Sequence, residues 1–241
     1  MEKYVDVHAH LNEFADYENF LNKNKNILVI NNGLNSESNR ITLEMAKKFS
    51  NLKAALGIHP NEVDSVNIDR ELEFIRKNKN NIIAIGEIGL DKKFSTYINE
   101  QIGVFESLIE LSLSLNLPII VHSRLAEIQT IKILEEHDAK KVVMHSFTGN
   151  LKLIQKILDN GWMLSIPSIV EYSDQFKKTV ILSDIKNLLT ETDTPYLGNT
   201  KDIGPVAVKD IVKKISELKK IPEEEIRKTI FGNYETMFVK K

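Results

Sequence analysis

Eight short runs rich in Val and Ile, separated by longer segments with helical spacing, constrain this fold more than any other feature. The runs cover residues 5–10, 27–32, 54–59, 82–88, 119–122, 142–145, 162–166 and 188–193. Each has the length and character of a strand buried on both faces. Between them, apolar residues recur every three or four positions. Ile98, Ile102, Phe105, Leu108, Ile109 and Leu113 mark one face of a helix over 96–117. Ile128, Ile131 and Leu134 do so over 127–136, and Val208, Ile211, Val212 and Ile215 over 205–218, where Pro205 is placed to open the helix. Strands alternating with helices predict an α/β chain, a single (β/α)8 TIM barrel of parallel strands. An open doubly wound sheet is the alternative. That fold usually carries a Gly-rich turn after its first strand, where this chain has His-Ala-His-Leu. With 241 residues and no linker, low-complexity stretch or internal repeat, the reading is one domain over 1–241.

Composition removes several function classes. There is no Cys, which excludes disulfides and thiolate metal sites. No basic start leads into an apolar stretch with a small-residue cleavage site, and no apolar run is long enough to span a bilayer. A cytoplasmic protein with no membrane association and no obligate protein partner is expected. The formal net charge is −2, so the chain lacks the overall basic footprint of a protein that grips duplex DNA along its backbone. The Lys pairs at 140–141, 177–178, 219–220 and 240–241 read as solvated faces or helix ends. A nucleic-acid substrate would be held through few phosphates, as at a strand end.

Five of the six histidines close a predicted strand, the end at which parallel barrels carry their active sites. Asp6, His8 and His10 share a face of the first strand because strand side chains alternate. Two imidazoles so spaced reach one metal ion, or form a hydrogen-bonded pair inside the barrel. Glu87 follows an apolar run and needs a cation. Its choices are a base from elsewhere or a metal, and its two oxygens favour bridging two ions. His122 and His145 close neighbouring strands and would share a second ion. Asp193 closes the eighth strand, which barrel closure returns beside His8 and His10. Glu191, on the same face but deeper, either orients a ligand histidine or serves as a buried hydrogen-bond partner. His59, at the end of the third strand, is expected to contact substrate or support a ligand. His137, at a helix end, is expected to meet the helix C-terminus without a chemical role. Imidazoles and carboxylates without sulfur suit two divalent ions, with Zn²⁺, Mn²⁺ and Mg²⁺ all open.

Read together, these motifs resemble the TatD-type metal-dependent DNases, a branch of the amidohydrolase-like barrels. The resemblance runs through Val5-Asp-Val-His-Ala-His-Leu11, Gly57-Ile-His-Pro60, Gly86-Glu-Ile-Gly-Leu-Asp91, Gln101 with Phe105, Leu117-Pro-Ile-Ile-Val-His-Ser-Arg124, His145-Ser-Phe-Thr-Gly149, Glu191-Thr-Asp-Thr-Pro-Tyr-Leu197, and Asn233 with Phe238. It implies a two-metal site on the C-terminal face: His8, His10 and Asp193 on one ion, His122 and His145 on the other, Glu87 shared. It also implies 3′-directed DNA cleavage, with broader substrates that include mis-charged tRNA. The chain departs from many relatives after Tyr196-Leu197, where the segment from Gly198 to Pro205 is short and has no arginine. It departs again where Lys92, Lys93 and Phe94 follow Asp91.

The expected chemistry is hydrolysis of a phosphodiester by a metal-activated water, with Asp193 and Glu87 in catalytic positions. Arg124 shares a face with His122 and would hold a phosphate oxygen or pair with a carboxylate at the rim. Lys92 and Lys93 would add phosphate attraction. Three rivals stand beside this reading: a D-aminoacyl-tRNA deacylase using the same site, a cyclic-amide hydrolase of the wider superfamily, and a non-enzymatic binding protein on a retired barrel. The cyclic-amide reading is weakened because such enzymes often place a modified lysine where this chain has Glu87.

Overall fold

The computed structural model describes residues 3–93, 97–198 and 200–239. Phe94, Thr96, Asn199, Lys240 and Lys241, singled out above, lie outside the described residues. The first half of the chain runs β1 (Tyr4–Ala9), α1 (Tyr17–Lys23), β2 (Ile27–Asn32), α2 (Ser36–Lys48), β3 (Leu52–Leu56), α3 (Ile68–Lys77) and β4 (Ala84–Asp91). It continues with α4 (Ile98–Leu115), β5 (Ile119–Arg124), α5 (Glu127–Glu136), β6 (Val142–Met144), α6 (Lys152–Asp159) and β7 (Met163–Ile166). After α7 (Asp174–Leu182) and β8 (Leu188–Thr190), the described chain ends in α8 (Thr200–Ile203), α9 (Val208–Lys219) and α10 (Glu223–Phe238).

Each strand pairs in parallel with the next, in the order β1 to β8. The Val/Ile runs therefore line a barrel whose helices lie outside it, as the alternating pattern predicts. All eight residues of β4 are buried, which explains why that strand reads as a continuous apolar run broken only by Glu87 and Asp91. No helix of the described residues is long and apolar enough to cross a membrane.

The last seam is built differently. β8 has three residues and joins β1 through the segment that follows it. Asp193 N–H donates to the His8 carbonyl at 2.8 Å, and His10 N–H donates to the Thr194 carbonyl at 2.7 Å. Beneath them, Asp6 accepts from the Thr192 backbone at 2.9 Å and from the Thr192 hydroxyl at 2.6 Å.

Several strand ends differ from the sequence expectation, each for a local reason. The eighth strand stops at Thr190 rather than 193, because Asp193 takes a left-handed φ of 53° that no strand accommodates. The third stops at Leu56 rather than 59. Pro60 holds His59 extended, and a short 3-10 turn, Pro60–Glu62, begins there. The sixth stops at Met144, just before His145, and Ser146 turns left-handed with φ 39°. The fourth runs on to Asp91, three residues further than expected.

Candidate metal centre

Four atoms from three parts of the chain meet at the C-terminal mouth of the barrel. His8 Nε2 and His10 Nε2 lie 3.1 Å apart. Glu87 Oε2 stands 3.4 Å from the first and 3.5 Å from the second. Asp193 Oδ1 stands 3.5 and 3.4 Å from the same two nitrogens. Four ligands at ~2.0–2.1 Å from one ion in tetrahedral array lie about 3.3–3.4 Å from one another. The spacings among His8, His10 and Glu87, 3.1–3.5 Å, match that edge length, so these three donors fit a single cation.

The other oxygen of Glu87 faces a second group. Oε1 lies 2.9 Å from His122 Nδ1, 3.6 Å from His145 Nε2 and 3.8 Å from His59 Nε2. One carboxylate thus presents a separate oxygen to each side of the cluster. Side chains of His8, His10 and Glu87 form one candidate metal group, His8, His145 and Asp193 another, and His59, Glu87 and His122 a third. His145 stands between the two sides, with its ring stacked on His8 at 3.7 Å between centroids.

The outward nitrogens of His10, His122 and His145 are tied down, as ligating imidazoles require, whereas the buried Nδ1 of His8 has no hydrogen-bond partner. His10 Nδ1 meets the Asn32 carbonyl at 2.9 Å. His145 Nδ1 meets Glu191 Oε2 at 3.0 Å, and Ser165 bonds the same Glu191 oxygen. A carbonyl or carboxylate there accepts a hydrogen bond from Nδ1–H, so in the neutral ring each Nε2 turns a lone pair toward the cluster. His122 Nε2 meets Asp91 Oδ2 at 3.1 Å. His59 is arranged the other way: its Nδ1 accepts from the Asn61 N–H at 3.1 Å, which leaves the proton of a neutral ring on Nε2. That nitrogen is a donor facing the mouth. Burial lowers the His59 pKa to about 4, so the ring is neutral.

The cluster favours positive charge. Burial opposes ionisation of Glu87, but the charge of His8 and the hydrogen bonds from His10 and His122 hold its pKa well below the usual range. Burial also opposes charging His10 and His122. Carboxylate partners overcome it and raise both to about 9, Asp193 and Glu87 for His10, Asp91 and Glu87 for His122. Two buried carboxylates demand a cation, supplied by protonated imidazole or by metal; stranding one buried partner would cost about 3–5 kcal/mol.

Two glycines let the backbone come this close. A Cβ on Gly57 would lie 2.5 Å from the Glu87 carbonyl oxygen, and one on Gly89 would lie 2.0 Å from that of His122. Gly89 also has φ 144°, outside the range other residues adopt readily.

All six residues expected to be ligands converge, and Glu191 reaches His145. Arg124 is exposed at the mouth, beside His122 and His145. Lys92 is exposed, and its N–H bonds the Arg124 carbonyl at 2.9 Å; it is not among the described residues lining the mouth. Asp6 shares a face with His8 and His10 but serves the seam, and burial pushes its carboxyl up to about 7. His137 caps α5, with Nδ1 on the Ile133 carbonyl at 3.0 Å. Sequence reasoning passed over Asp91 and the Asn32 carbonyl. The signal for Asp91 was present: it lies four residues beyond Glu87 on one strand, hence on the same face.

The family model described as TatD related DNase matches residues 5–239. The chain belongs to this family. An uncharacterized metal-dependent hydrolase of Methanocaldococcus jannaschii is 32% identical over 240 residues, covering 96% of this chain and 95% of that protein. Human deoxyribonuclease TATDN3 is 30% identical over 261 residues, covering 98% of this chain and 94% of the human protein. The crystal structure of YJJV, a TatD homolog from Escherichia coli, superposes with a TM-score of 0.89 at 23% identity, over 99% of this chain and 98% of that one. This last likeness speaks for the barrel itself. The chain is a metal-dependent hydrolase of the TatD family.

Proposed function

We propose that this TatD-family hydrolase is a deoxyribonuclease that cleaves phosphodiester bonds from the 3′ end of DNA with a metal-activated water. The carrying observation is the split of Glu87, with Oε2 toward His8 and His10 and Oε1 toward His122 and His145. His8, His10 and Asp193 would hold one divalent ion and His122 and His145 the other, with Glu87 between them. Zn²⁺, Mn²⁺ or Mg²⁺ bound there would supply Lewis-acid polarisation of the phosphoryl oxygen and a water of lowered pKa.

The side chains divide the remaining work. Among the carboxylates of the described residues, only Asp193 lines both of the cavities that meet at the barrel mouth, which supports its reading as the proton acceptor for the attacking water. The Nε2–H of His59 donates to a phosphoryl oxygen on the Glu87 side. Arg124 holds a second oxygen from the rim, and Lys92 contributes attraction at longer range. A net charge of −2 fits a grip limited to a strand end.

The test is an activity screen of purified protein with each of the three metals against single-stranded DNA, RNA and mis-charged tRNA. Metal-dependent release of nucleotides from DNA 3′ ends is expected. Release of amino acid from tRNA with no nucleotide release would instead identify an ester-cleaving deacylase. Absence of bound metal and of any metal-restored activity would point to a binding protein.

A further inference from the structure

The mouth divides into two arms that share His122, Arg124, His145, Asp193 and Leu197. One, of about 510 Å³, passes His59, Asn61, Glu62 and Asp91. The other, of about 310 Å³, passes Ser123, Ser146, Thr148 and Ile169. Their chemistry differs sharply. The first arm carries Glu62, Glu87 and Asp91 in addition to the shared Asp193. In the second, Asp193 at the junction is the sole carboxylate among the described residues. A phosphate entering the first arm meets three further carboxylates and one entering the second meets three hydroxyls, with the Arg124 guanidinium common to both.

Ser123 gives the second arm its direction. It is 6% exposed, and its hydroxyl is buried without a hydrogen-bond partner. Buried hydroxyls in folded proteins are nearly always bonded, and an orphan at a cavity wall marks a place where something else supplies the acceptor. Arg124 follows it on β5 with its side chain exposed at the same wall. Across the arm, the left-handed turn at Ser146 leads to Thr148, which is exposed.

We propose that this hydroxyl-lined arm is a subsite for a second phosphate, the one adjoining the phosphodiester being cleaved. The inference rests on the phosphodiesterase reading above and deepens it. The substrate class becomes an oligonucleotide read through two consecutive phosphates, with Ser123 and Thr148 as donors to the flanking one. An isolated diester fills the metal side and leaves this arm empty.

The experiment compares the dinucleotide TpT with pTpT and TpTp, each of which adds one terminal phosphate. With metal-loaded protein, one of the two added phosphates is expected to lower KM about tenfold with a smaller change in kcat. In Ser123→Ala and in Thr148→Val, that advantage over TpT shrinks to threefold or less. Thr148 lies on the exposed rim, so its variant reads the subsite even if the Ser123 change disturbs folding. Equilibrium dialysis of the same three dinucleotides against metal-free protein gives a second readout, in which the same added phosphate tightens binding. Cleavage of all three with KM values within twofold of one another, or an advantage that survives both substitutions, would overturn the subsite alone. A binding preference that persists when no metal supports cleavage would uphold the subsite and overturn the phosphodiesterase reading.

Discussion

The Nε2 atoms of His8 and His10 stand 3.1 Å apart, nearer to each other than either stands to the carboxylates of Glu87 or Asp193. Two imidazoles hold that distance comfortably when a shared cation lies between their lone pairs. Metal should therefore stabilise the fold itself. At a concentration about 100 times the dissociation constant, binding adds about 2.7 kcal/mol. For a chain of this size that is a rise of roughly 5–10 °C in melting temperature. Thermal melts in chelator and in each divalent metal measure it; identical melts would contradict the fit.

The two-sided placement of Glu87 makes it unlike the other ligands. Glu87→Ala should reduce bound metal on both sides of the cluster. Asp193→Asn should retain metal on the His122 side and still lose about 10²–10⁴-fold in kcat, as expected where a proton acceptor is removed. Metal analysis of the two purified variants, alongside rates on the substrate found in the activity screen, distinguishes them. Full metal content in Glu87→Ala would remove the bridging role.

Glu191 and Asp91 act through histidines. Glu191→Ala frees the His145 ring and Asp91→Ala frees that of His122, each with an expected loss of about 10–100-fold in metal affinity or activity. Glu191→Gln keeps an oxygen for the His145 Nδ1–H and should recover part of the loss. Metal titrations of Ala and Gln variants side by side test the orienting role; equal losses in both would indicate packing alone.

Gly57 stands against the Glu87 carbonyl with no room for a methyl group. Gly57→Ala should destabilise the barrel by about 1–3 kcal/mol, the cost of overpacking. It should also displace Glu87, so that activity falls further than stability predicts at temperatures well below the melt. A variant that melts early but keeps wild-type turnover in the cold would show that Glu87 tolerates the shift.

The barrel and the residues that gather at its mouth were legible because one physical pattern carries both. Buried parallel strands read as Val/Ile runs, and the residue that breaks a run at its end, such as Glu87 or His122, is the one turned into the mouth. Strand ends were less legible, since they depend on backbone states that apolar periodicity does not record. Pro60 moved His59 out of β3, and a left-handed Asp193 cut β8 short. The Nε2–H of His59 follows from a bond to the Asn61 backbone, which residue identity cannot announce. Asp91 was hidden by the expected end of β4 rather than by any ambiguity in its chemistry.

The seam between β1 and the segment after β8 gives the site an order of assembly. His8 and His10 precede Asp193 by more than 180 residues along the chain, so they are synthesised well before it. The same contacts that hold Asp193 against the His8 carbonyl close the barrel. A chain interrupted before this point lacks one wall of the cluster, so an unfinished copy carries no complete candidate metal centre.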